Sequence, residues 1–230
     1  MIQLALDLGH RAALGREDFL IAQPNMVAVA LIDRWPAWPG AGVALFGPAG
    51  CGKSHLAQVW RAASKAREVD PAKLEAMPLP ELMGEHKAFL LDGLGVALDD
   101  NPARQEAMLH LYNMARERGA HLMVTDRRPP SHWHVGLPDL ASRLSTLQAI
   151  EMGPPDDALL GAVLVKLFAD RQLTVKGKVI SYLLARMERS FAAARRLVAA
   201  CDKKALEGKQ KVTTAVARQA LEDEEQGTGG

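Results

Sequence analysis

The residues with the clearest chemical signature form a glycine-rich run that ends in lysine and serine. The run consists of Gly47, Pro48, Ala49, Gly50, Cys51, Gly52, Lys53 and Ser54. Its spacing satisfies G-x-x-x-x-G-K-[ST], in which glycines let the backbone N–H groups point inward at phosphates. Lys53 is expected to bridge the β- and γ-phosphates, and Ser54 to ligate Mg²⁺. The pattern predicts a site for ATP or ADP with Mg²⁺; a glycine-rich turn with a chance lysine is the alternative.

An acidic residue follows the next apolar segment. Asp92 comes directly after residues 89–91, where a carboxylate at the end of a strand would hold Mg²⁺ through water. The alternative is an aspartate that caps a turn. Many ATPases of this class place a second acid at the next position to polarise the attacking water, but here that position is Gly93. Asp99 and Asp100 lie too far along the chain to replace it, so we expect nucleotide binding with weak hydrolysis.

A strand before the glycine-rich run and a helix after it are needed to position these residues. Strands are predicted over residues 43–46, 88–91, 121–124 and 147–152, and helices over residues 25–34, 54–66 and 101–119. Strands that alternate with helices indicate right-handed crossovers and a parallel sheet covered on both faces. Residues 67–86 are weakly patterned, and no strand is predicted there.

The pattern changes after residue 154, where only helical periodicity remains. Four helices are expected: one capped by Asp156 or Asp157, one around residues 179–187, one after Ser190, and one from Thr213 to Leu221. The predicted fold class is therefore α/β, a P-loop NTPase core with a parallel sheet followed by a small all-helical lid. The expected units are an extended N-terminal segment (1–14), the core (15–153), the lid (154–222) and a flexible tail (223–230).

Composition excludes several classes of protein. The 230 residues are 48% hydrophobic and 24% charged, which excludes a disordered chain and a collagen. Two cysteines, Cys51 and Cys201, are too few for a multi-cysteine metal site. No apolar run approaches the roughly 20 residues that span a bilayer, and the first eight residues lack the features of a signal peptide. We therefore expect a cytoplasmic protein without a membrane partner.

Charge is distributed unevenly along the chain. The net charge is +1, but residues 171–211 contain 11 Lys/Arg and 3 Asp/Glu, a balance of +8 that leaves −7 for the remainder. This asymmetry indicates that the lid faces phosphate or an acidic partner.

Four segments occur in a characteristic order and spacing. They are Phe19-Leu20-Ile21 with Asn25, the glycine-rich run continued by His55-Leu56, residues 125–130 (TDRRPP) and residues 137–144 (LPDLASRL). Together they resemble the AAA+ module of the bacterial replication initiator DnaA. They are still more similar to the short Hda group of regulatory inactivators of DnaA. The resemblance covers about residues 15–222, and the segment 137–144 is its most specific part.

The resemblance implies roles for individual residues. Phe19, Leu20 and Ile21 would enclose the adenine, although plain core packing is also compatible with their types, and His55 would extend the nucleotide site. Asp126 would take the first sensor position near the γ-phosphate.

Two arginine positions of the family bear on hydrolysis. Arg143, expected in the loop before the last strand, would act as an arginine finger at another subunit's γ-phosphate; a surface ion pair is the alternative. Ala192 stands where the family usually carries a second sensor arginine. Arg195 and Arg196 lie one turn further on, so weak intrinsic ATPase activity and a stable ADP-bound state are expected.

The N-terminus carries a short motif, QLALDL. Its residues Gln3, Leu4, Leu6 and Leu8 resemble the peptide with which the Hda group binds the sliding clamp, the beta subunit of DNA polymerase III. In an extended peptide, the leucines would fill an apolar pocket while the Gln3 amide hydrogen-bonds at its rim. A merely amphipathic terminus is the alternative.

The resemblance implies a regulator of replication initiation. Bound to nucleotide and to a DNA-loaded clamp, the chain would stimulate ATP hydrolysis by DnaA and so prevent re-initiation. It would act at the nucleoid or replisome and contact DNA through the clamp. Copies of the chain could also form a homo-oligomer. Two alternatives stay open: a self-hydrolysing loader or remodeller that uses the basic lid on single-stranded DNA, and an adaptor that tethers DnaA-like partners without stimulating hydrolysis.

Overall fold

A five-stranded parallel sheet forms the centre of residues 20–153. The computed structural model describes residues 20–227, with side chains to residue 224. The strands are β1 (Gly42–Phe46), β2 (Arg67–Glu68), β3 (Ala88–Asp92), β4 (His121–Asp126) and β5 (Gln148–Glu151). They lie in the order β2-β3-β4-β1-β5. All run parallel, so the carboxyl ends of β1, β4 and β3 meet at one edge with β4 in the middle.

Ten helices are found in the described part of the chain. They are α1 (Met26–Ile32), α2 (Lys53–Ser64), α3 (Leu79–Met83), α4 (Leu94–Leu98), α5 (Pro102–Glu117), α6 (Pro138–Ser145), α7 (Asp157–Asp170), α8 (Gly177–Leu184), α9 (Phe191–Glu207) and α10 (Thr214–Gly227). Side-chain caps fix three of the predicted helix starts, because Asn101, Asp156 and Ser190 each accept a hydrogen bond from a first-turn N–H at 2.7–3.1 Å.

Both faces of the sheet are covered, as predicted. Leu45, Leu90 and Met123 pack on one face with α1 and α2. Leu91 and Val124 pack on the other face with α4, α5 and α6. The continuous apolar runs of β3 and β4 follow from this arrangement, because alternate side chains of each strand enter different cores.

Three tryptophans join α1 to α2 on the first of these faces. The rings of Trp38 and Trp60 stack with centroids 5.1 Å apart and planes 15° apart. Trp35 meets Trp60 edge-on at 6.3 Å. Trp38 Nε1 also donates a hydrogen bond to the carbonyl oxygen of Leu31. Trp38 is buried, so it acts as a hydrophobic plug on this face.

Helices α7 to α10 have an apolar core of their own. Phe168, Leu183, Leu197 and Ala217 are buried at its centre, so each of the four predicted helices contributes a face. The N–H of Phe191, the first residue of α9, donates to the carbonyl oxygen of Gly50 and so joins this group of helices to the glycine-rich run.

The structure differs from the sequence-based expectation in several places, one of which is α4, where no helix is predicted. Residues 67–86 contain the two-residue strand β2, a 3-10 helix (Pro71–Ala76) and α3. Residues 138–145 form α6 rather than a loop. Helix α10 continues to residue 227, six residues beyond its predicted end. Its acidic end is held by ion pairs, Asp223 with Lys204 at 2.6 Å and Glu224 with Arg196 at 3.2 Å.

No helix within residues 20–227 combines the length and the apolar character needed to cross a membrane.

Candidate nucleotide site

The glycine-rich run forms the loop between β1 and α2, as its spacing predicts. Gly50 and Gly52 have φ angles of 74° and 101°, which L side chains rarely adopt. Gly52 is the residue directly before α2, so the loop ends at the N-terminus of a 12-residue helix. The first-turn N–H groups of α2 therefore face the loop with the positive end of the helix dipole. This arrangement suits a phosphate group.

Lys53 is folded over the loop. Its ammonium group donates hydrogen bonds to the carbonyl oxygens of Gly47 at 2.9 Å and Pro48 at 2.8 Å. Cys51 Sγ lies 3.6 Å from the same nitrogen. The side chain is only 9% exposed. A compact positive charge is thus held inside the curve of the loop, where the oxygens of a phosphate would be bound.

Ser54, in the first turn of α2, lies next to Asp92, at the end of β3. Ser54 Oγ donates to Asp92 Oδ1 at 3.2 Å, and the Thr125 hydroxyl donates to the same oxygen. Hydroxyl and carboxylate oxygens are the ligands that Mg²⁺ prefers, usually one or two from the protein with phosphates and waters completing the shell. The donor set therefore fits Mg²⁺, and no larger group of His, Cys, Asp and Glu side chains suited to a metal occurs among the described residues.

Gly93 leaves an open space next to Asp92. A Cβ placed on Gly93 would meet no atom within 4 Å, and the residue has a φ of 78°. Its N–H donates to Thr125, both to the carbonyl oxygen at 3.0 Å and to Oγ1 at 3.2 Å. Glycine is therefore suited to this backbone conformation, and it provides no carboxylate to polarise a water.

Asp126 lies at the end of β4, but its carboxylate is turned towards α4. Oδ2 accepts a hydrogen bond from the N–H of Val96 at 3.0 Å, and Oδ1 accepts one from the N–H of Arg127 at 2.6 Å. The side chain is 5% exposed. These contacts connect β4 to α4, and the sensor role of Asp126 stays a prediction.

The start of α9 contacts the loop directly. The N–H of Phe191 donates to the carbonyl oxygen of Gly50 at 3.1 Å. A Cβ on Gly50 would lie 2.4 Å from the Cβ of Ser190, and one on Gly52 would lie 3.0 Å from the Phe191 ring. The helical part of the chain therefore contacts the phosphate loop. The position in this part where the family usually carries a second sensor arginine is Ala192.

The two arginines one turn beyond Ala192 differ in their surroundings. Arg196 forms ion pairs with Glu188 at 3.7 Å and Glu224 at 3.2 Å, which direct it towards α10. Arg195 is exposed, with no side-chain partner in the described part of the chain. Of these two arginines, Arg195 is therefore the one whose side chain no ion pair holds away from a bound nucleotide within the described residues.

Replacing Gly50 by alanine should weaken the contact between α9 and the loop. The added methyl group would lie 2.4 Å from Ser190, in addition to the strain of a φ of 74°. Gly119→Ala is the matched control, since Gly119 has a φ of 62° and nothing within 4 Å of its Cβ position. We expect thermal unfolding to show a loss of stability for Gly50→Ala that exceeds the roughly 1 kcal/mol expected for Gly119→Ala. Equal losses would mean that the contact contributes nothing.

The segment before α1 runs beside the same edge. Ile21 is 54% exposed, so core packing does not account for it. Asn25 Nδ2 donates to the Leu20 carbonyl oxygen at 2.9 Å, and the N–H of Gly153 donates to the Pro24 carbonyl oxygen at 3.1 Å. His55 is half-buried in the first turn of α2. The predicted adenine contact of Phe19 and the clamp-binding residues Gln3, Leu4, Leu6 and Leu8 lie outside the described residues.

Arg143 lies in the last turn of α6 and not in a loop. Pro138 occupies the first turn of this helix, and Leu140 and Leu144 bury its inner face. The Arg143 side chain is half-buried, and its guanidinium makes no hydrogen bond or ion pair within residues 20–224. The alternative of an intramolecular surface ion pair therefore has no support in this part of the chain.

Known proteins share the architecture. No family model matches the chain. The structure is similar to domain III of the replication initiation protein DnaA from Thermotoga maritima (TM-score 0.81, 16% identity, 91% of this chain and 96% of that one). It is also similar to AMPPCP-bound DnaA from Aquifex aeolicus (TM-score 0.70, 18% identity, 84% of this chain and 66% of that one). A third similar structure is the Holliday junction branch migration motor RuvB from Thermotoga maritima (TM-score 0.67, 16% identity, 88% of this chain and 69% of that one).

The comparison covers nearly all of the DnaA domain but only about two thirds of the longer DnaA chain. The parallel sheet in the order β2-β3-β4-β1-β5, its flanking helices and the helical part that follows all belong to the shared architecture. The chain therefore has the AAA+ P-loop NTPase fold, as predicted from its sequence.

Proposed function

We propose that this chain is a nucleotide-binding regulator of chromosome replication that acts as the Hda group does. Attached to the DNA-loaded sliding clamp, it presents Arg143 to ATP-bound DnaA and stimulates hydrolysis there, which prevents re-initiation. The observation that carries the proposal is that the guanidinium of Arg143 has no hydrogen-bond or ion-pair partner within residues 20–224. A half-buried arginine without a partner in this part of the chain is available to a phosphate of another molecule, for which its planar fork is suited.

The chain's own nucleotide has a different role in this proposal. Lys53, Ser54 and Asp92 form the set of side chains that holds ATP or ADP with Mg²⁺, and the similar DnaA from Aquifex aeolicus is AMPPCP-bound. Gly93 provides no acid to activate water, and Ala192 provides no second sensor arginine. We infer that the nucleotide is retained rather than turned over, so that it stabilises the form of the chain that binds partners.

The proposal is tested by a hydrolysis assay with three components: ATP-bound DnaA, clamp loaded on DNA, and this chain. Stimulation of hydrolysis that requires all three components is the expected result. If DnaA binds this chain in the assay and hydrolysis is not stimulated, the adaptor alternative is correct instead.

The clamp contact yields a separate prediction. Replacing Gln3, Leu6 and Leu8 together by alanine should abolish co-elution with the clamp, because the two leucines supply most of the apolar area. Melting temperature should stay unchanged. In an extended peptide, Ala5 and Asp7 point away from the side that Leu4, Leu6 and Leu8 share, and neither is among the expected contacts, so Ala5→Ser with Asp7→Asn is a matched control that should retain binding. A triple variant that still co-elutes would place the contact elsewhere.

A second candidate function is a self-hydrolysing loader or remodeller that binds DNA. Seven exposed cations of the helical part have no ion-pair partner within the described ranges: Lys176, Lys178, Arg186, Arg195, Lys203, Lys209 and Lys211. Such charges would contact phosphates of single-stranded DNA, and binding would weaken steeply with salt. ATP turnover by the chain alone that rises with single-stranded DNA would favour this candidate over the regulator.

A further inference from the structure

The last two residues of β4 point to opposite faces of the sheet. Side chains alternate along a strand, and Met123 packs with α2 whereas Val124 packs with α5. Thr125 therefore faces the side of α2 and the phosphate loop, and Asp126 faces the side of α4. The hydrogen bonds of both residues agree with this alternation.

Asp126 has little freedom to turn towards the loop. Both of its carboxylate oxygens accept backbone hydrogen bonds, from Val96 and Arg127. Oδ2 is so closely packed that a Cβ on Gly95 would lie 2.8 Å from it. Turning the side chain would break both hydrogen bonds to these part-buried N–H groups, which is costly.

Thr125 connects the backbone after β3 to Asp92. Its hydroxyl oxygen accepts from the N–H of Gly93 at 3.2 Å, and its hydroxyl hydrogen is donated to Asp92 Oδ1. Ser54 Oγ donates to the same carboxylate oxygen. Oδ2 of Asp92 makes no hydrogen bond to the rest of the described chain. The carboxylate is thus held at one oxygen from two sides, with the other oxygen free.

We infer that Thr125, rather than Asp126, is the β4 residue that acts on the nucleotide site, as the positioning residue for Asp92. The Thr125 hydroxyl fixes the rotation of the carboxylate so that Oδ2 accepts hydrogen bonds from metal-bound waters. Because Ser54 donates its hydrogen to Oδ1, the lone pairs of its oxygen would remain available to hold Mg²⁺. The inference rests on the proposed nucleotide site and assigns to it a residue that tunes its affinity for Mg²⁺.

The test is the Mg²⁺ dependence of ADP binding, measured by calorimetry. Thr125→Val keeps the shape of the side chain and removes the hydroxyl. We expect the Mg²⁺ concentration at half-effect to rise about tenfold, the lower end of the range for residues that support metal ligands. ADP affinity without Mg²⁺ should stay unchanged. Thr125→Ser retains the hydroxyl and should restore the Mg²⁺ dependence of the unmodified chain.

Asp126→Asn is the neighbouring control. It should lower the melting temperature, because it weakens the charge-assisted hydrogen bonds to the N–H groups of Val96 and Arg127, and should leave the Mg²⁺ dependence unchanged. If Thr125→Val does not fold, Thr125→Ala provides the same loss of the hydroxyl with a smaller side chain.

Two outcomes would overturn the inference. One is a folded Thr125 variant that lacks the hydroxyl and has an unaltered Mg²⁺ dependence of ADP binding. The other is a change of that Mg²⁺ dependence in Asp126→Asn but not in the Thr125 variants. An unmodified chain that binds no ADP at all would instead contradict the proposed nucleotide site.

Discussion

Replacing Arg143 by alanine should reduce the stimulation of DnaA by at least about 10³-fold while nucleotide and clamp binding persist. A guanidinium that reaches the γ-phosphate neutralises charge that develops in the transition state, which is worth roughly 10³–10⁵ in rate. The arginine has no intramolecular partner within residues 20–224, and alanine favours a helix. The free energy of unfolding should therefore change by about 1 kcal/mol or less. Single-turnover hydrolysis of DnaA-bound ATP measures the effect.

Two further variants separate a finger from a structural arginine. Arg143→Lys should restore little, because a point charge does not reproduce the planar fork of a guanidinium around phosphate oxygens. Arg116→Ala is the matched control, since Arg116 is an exposed arginine of α5 without a side-chain partner among the described residues. Full stimulation by Arg143→Ala, or an equal loss in Arg116→Ala, would contradict the finger role.

Replacing Lys53 by alanine should remove nucleotide binding. The substitution deletes the positive charge held inside the loop and leaves the carbonyl oxygens of Gly47 and Pro48 without their donor. We expect ADP affinity, measured by calorimetry, to fall by at least about 100-fold. At a ligand concentration of 100 times Kd, bound nucleotide contributes about 2.7 kcal/mol to the stability of the unmodified chain. The increase in melting temperature with added ADP should disappear in the variant.

Lys65→Ala is the control for this experiment. Lys65 caps the opposite end of α2 and is exposed, so its loss changes the charge of the chain without affecting the loop. Affinity for ADP should be unchanged in this variant. An unaltered affinity in folded Lys53→Ala would show that the glycine-rich run is not the phosphate site.

The parts of the site that could be predicted are those encoded by short, contiguous patterns. The spacing from Gly47 to Ser54 predicted both the loop and the helix after it. Asp92 was predicted at the carboxyl end of a buried strand, and the parallel sheet places that end next to Ser54. In each case, neighbouring residues in the chain are enough to specify the geometry.

Other features depend on contacts between distant residues. The hydrogen bond from Phe191 to Gly50 joins positions 141 residues apart, and no local pattern indicates it. The division of roles between Thr125 and Asp126 depends on which face of β4 meets α2, a choice that the TD dipeptide leaves open. The two-residue strand β2 exists only because β3 pairs with it.

Helix α6 is a different case, because its signal was present in the sequence. Pro138 at the start of the segment, and Leu140 and Leu144 four residues apart, are typical of a short helix with one buried face. The position of the segment directly before the last strand favours a loop instead. Arg143 therefore projects from a regular element, whose rigidity is better suited to placing a guanidinium than a loop would be.

The stack of Trp38 on Trp60 gives this chain an internal optical probe. Trp60 belongs to α2, the helix that begins at the phosphate loop, whereas Trp38 follows α1. Indole emission responds to the spacing and solvation of the ring, so a shift of α2 against α1 would alter it. Trp133, whose Nε1 donates to the Arg128 carbonyl oxygen, lies in the other core and would report on β4. Fluorescence from the unlabelled chain, with single Trp→Phe variants to assign the bands, would therefore distinguish movements on the two sides of the sheet.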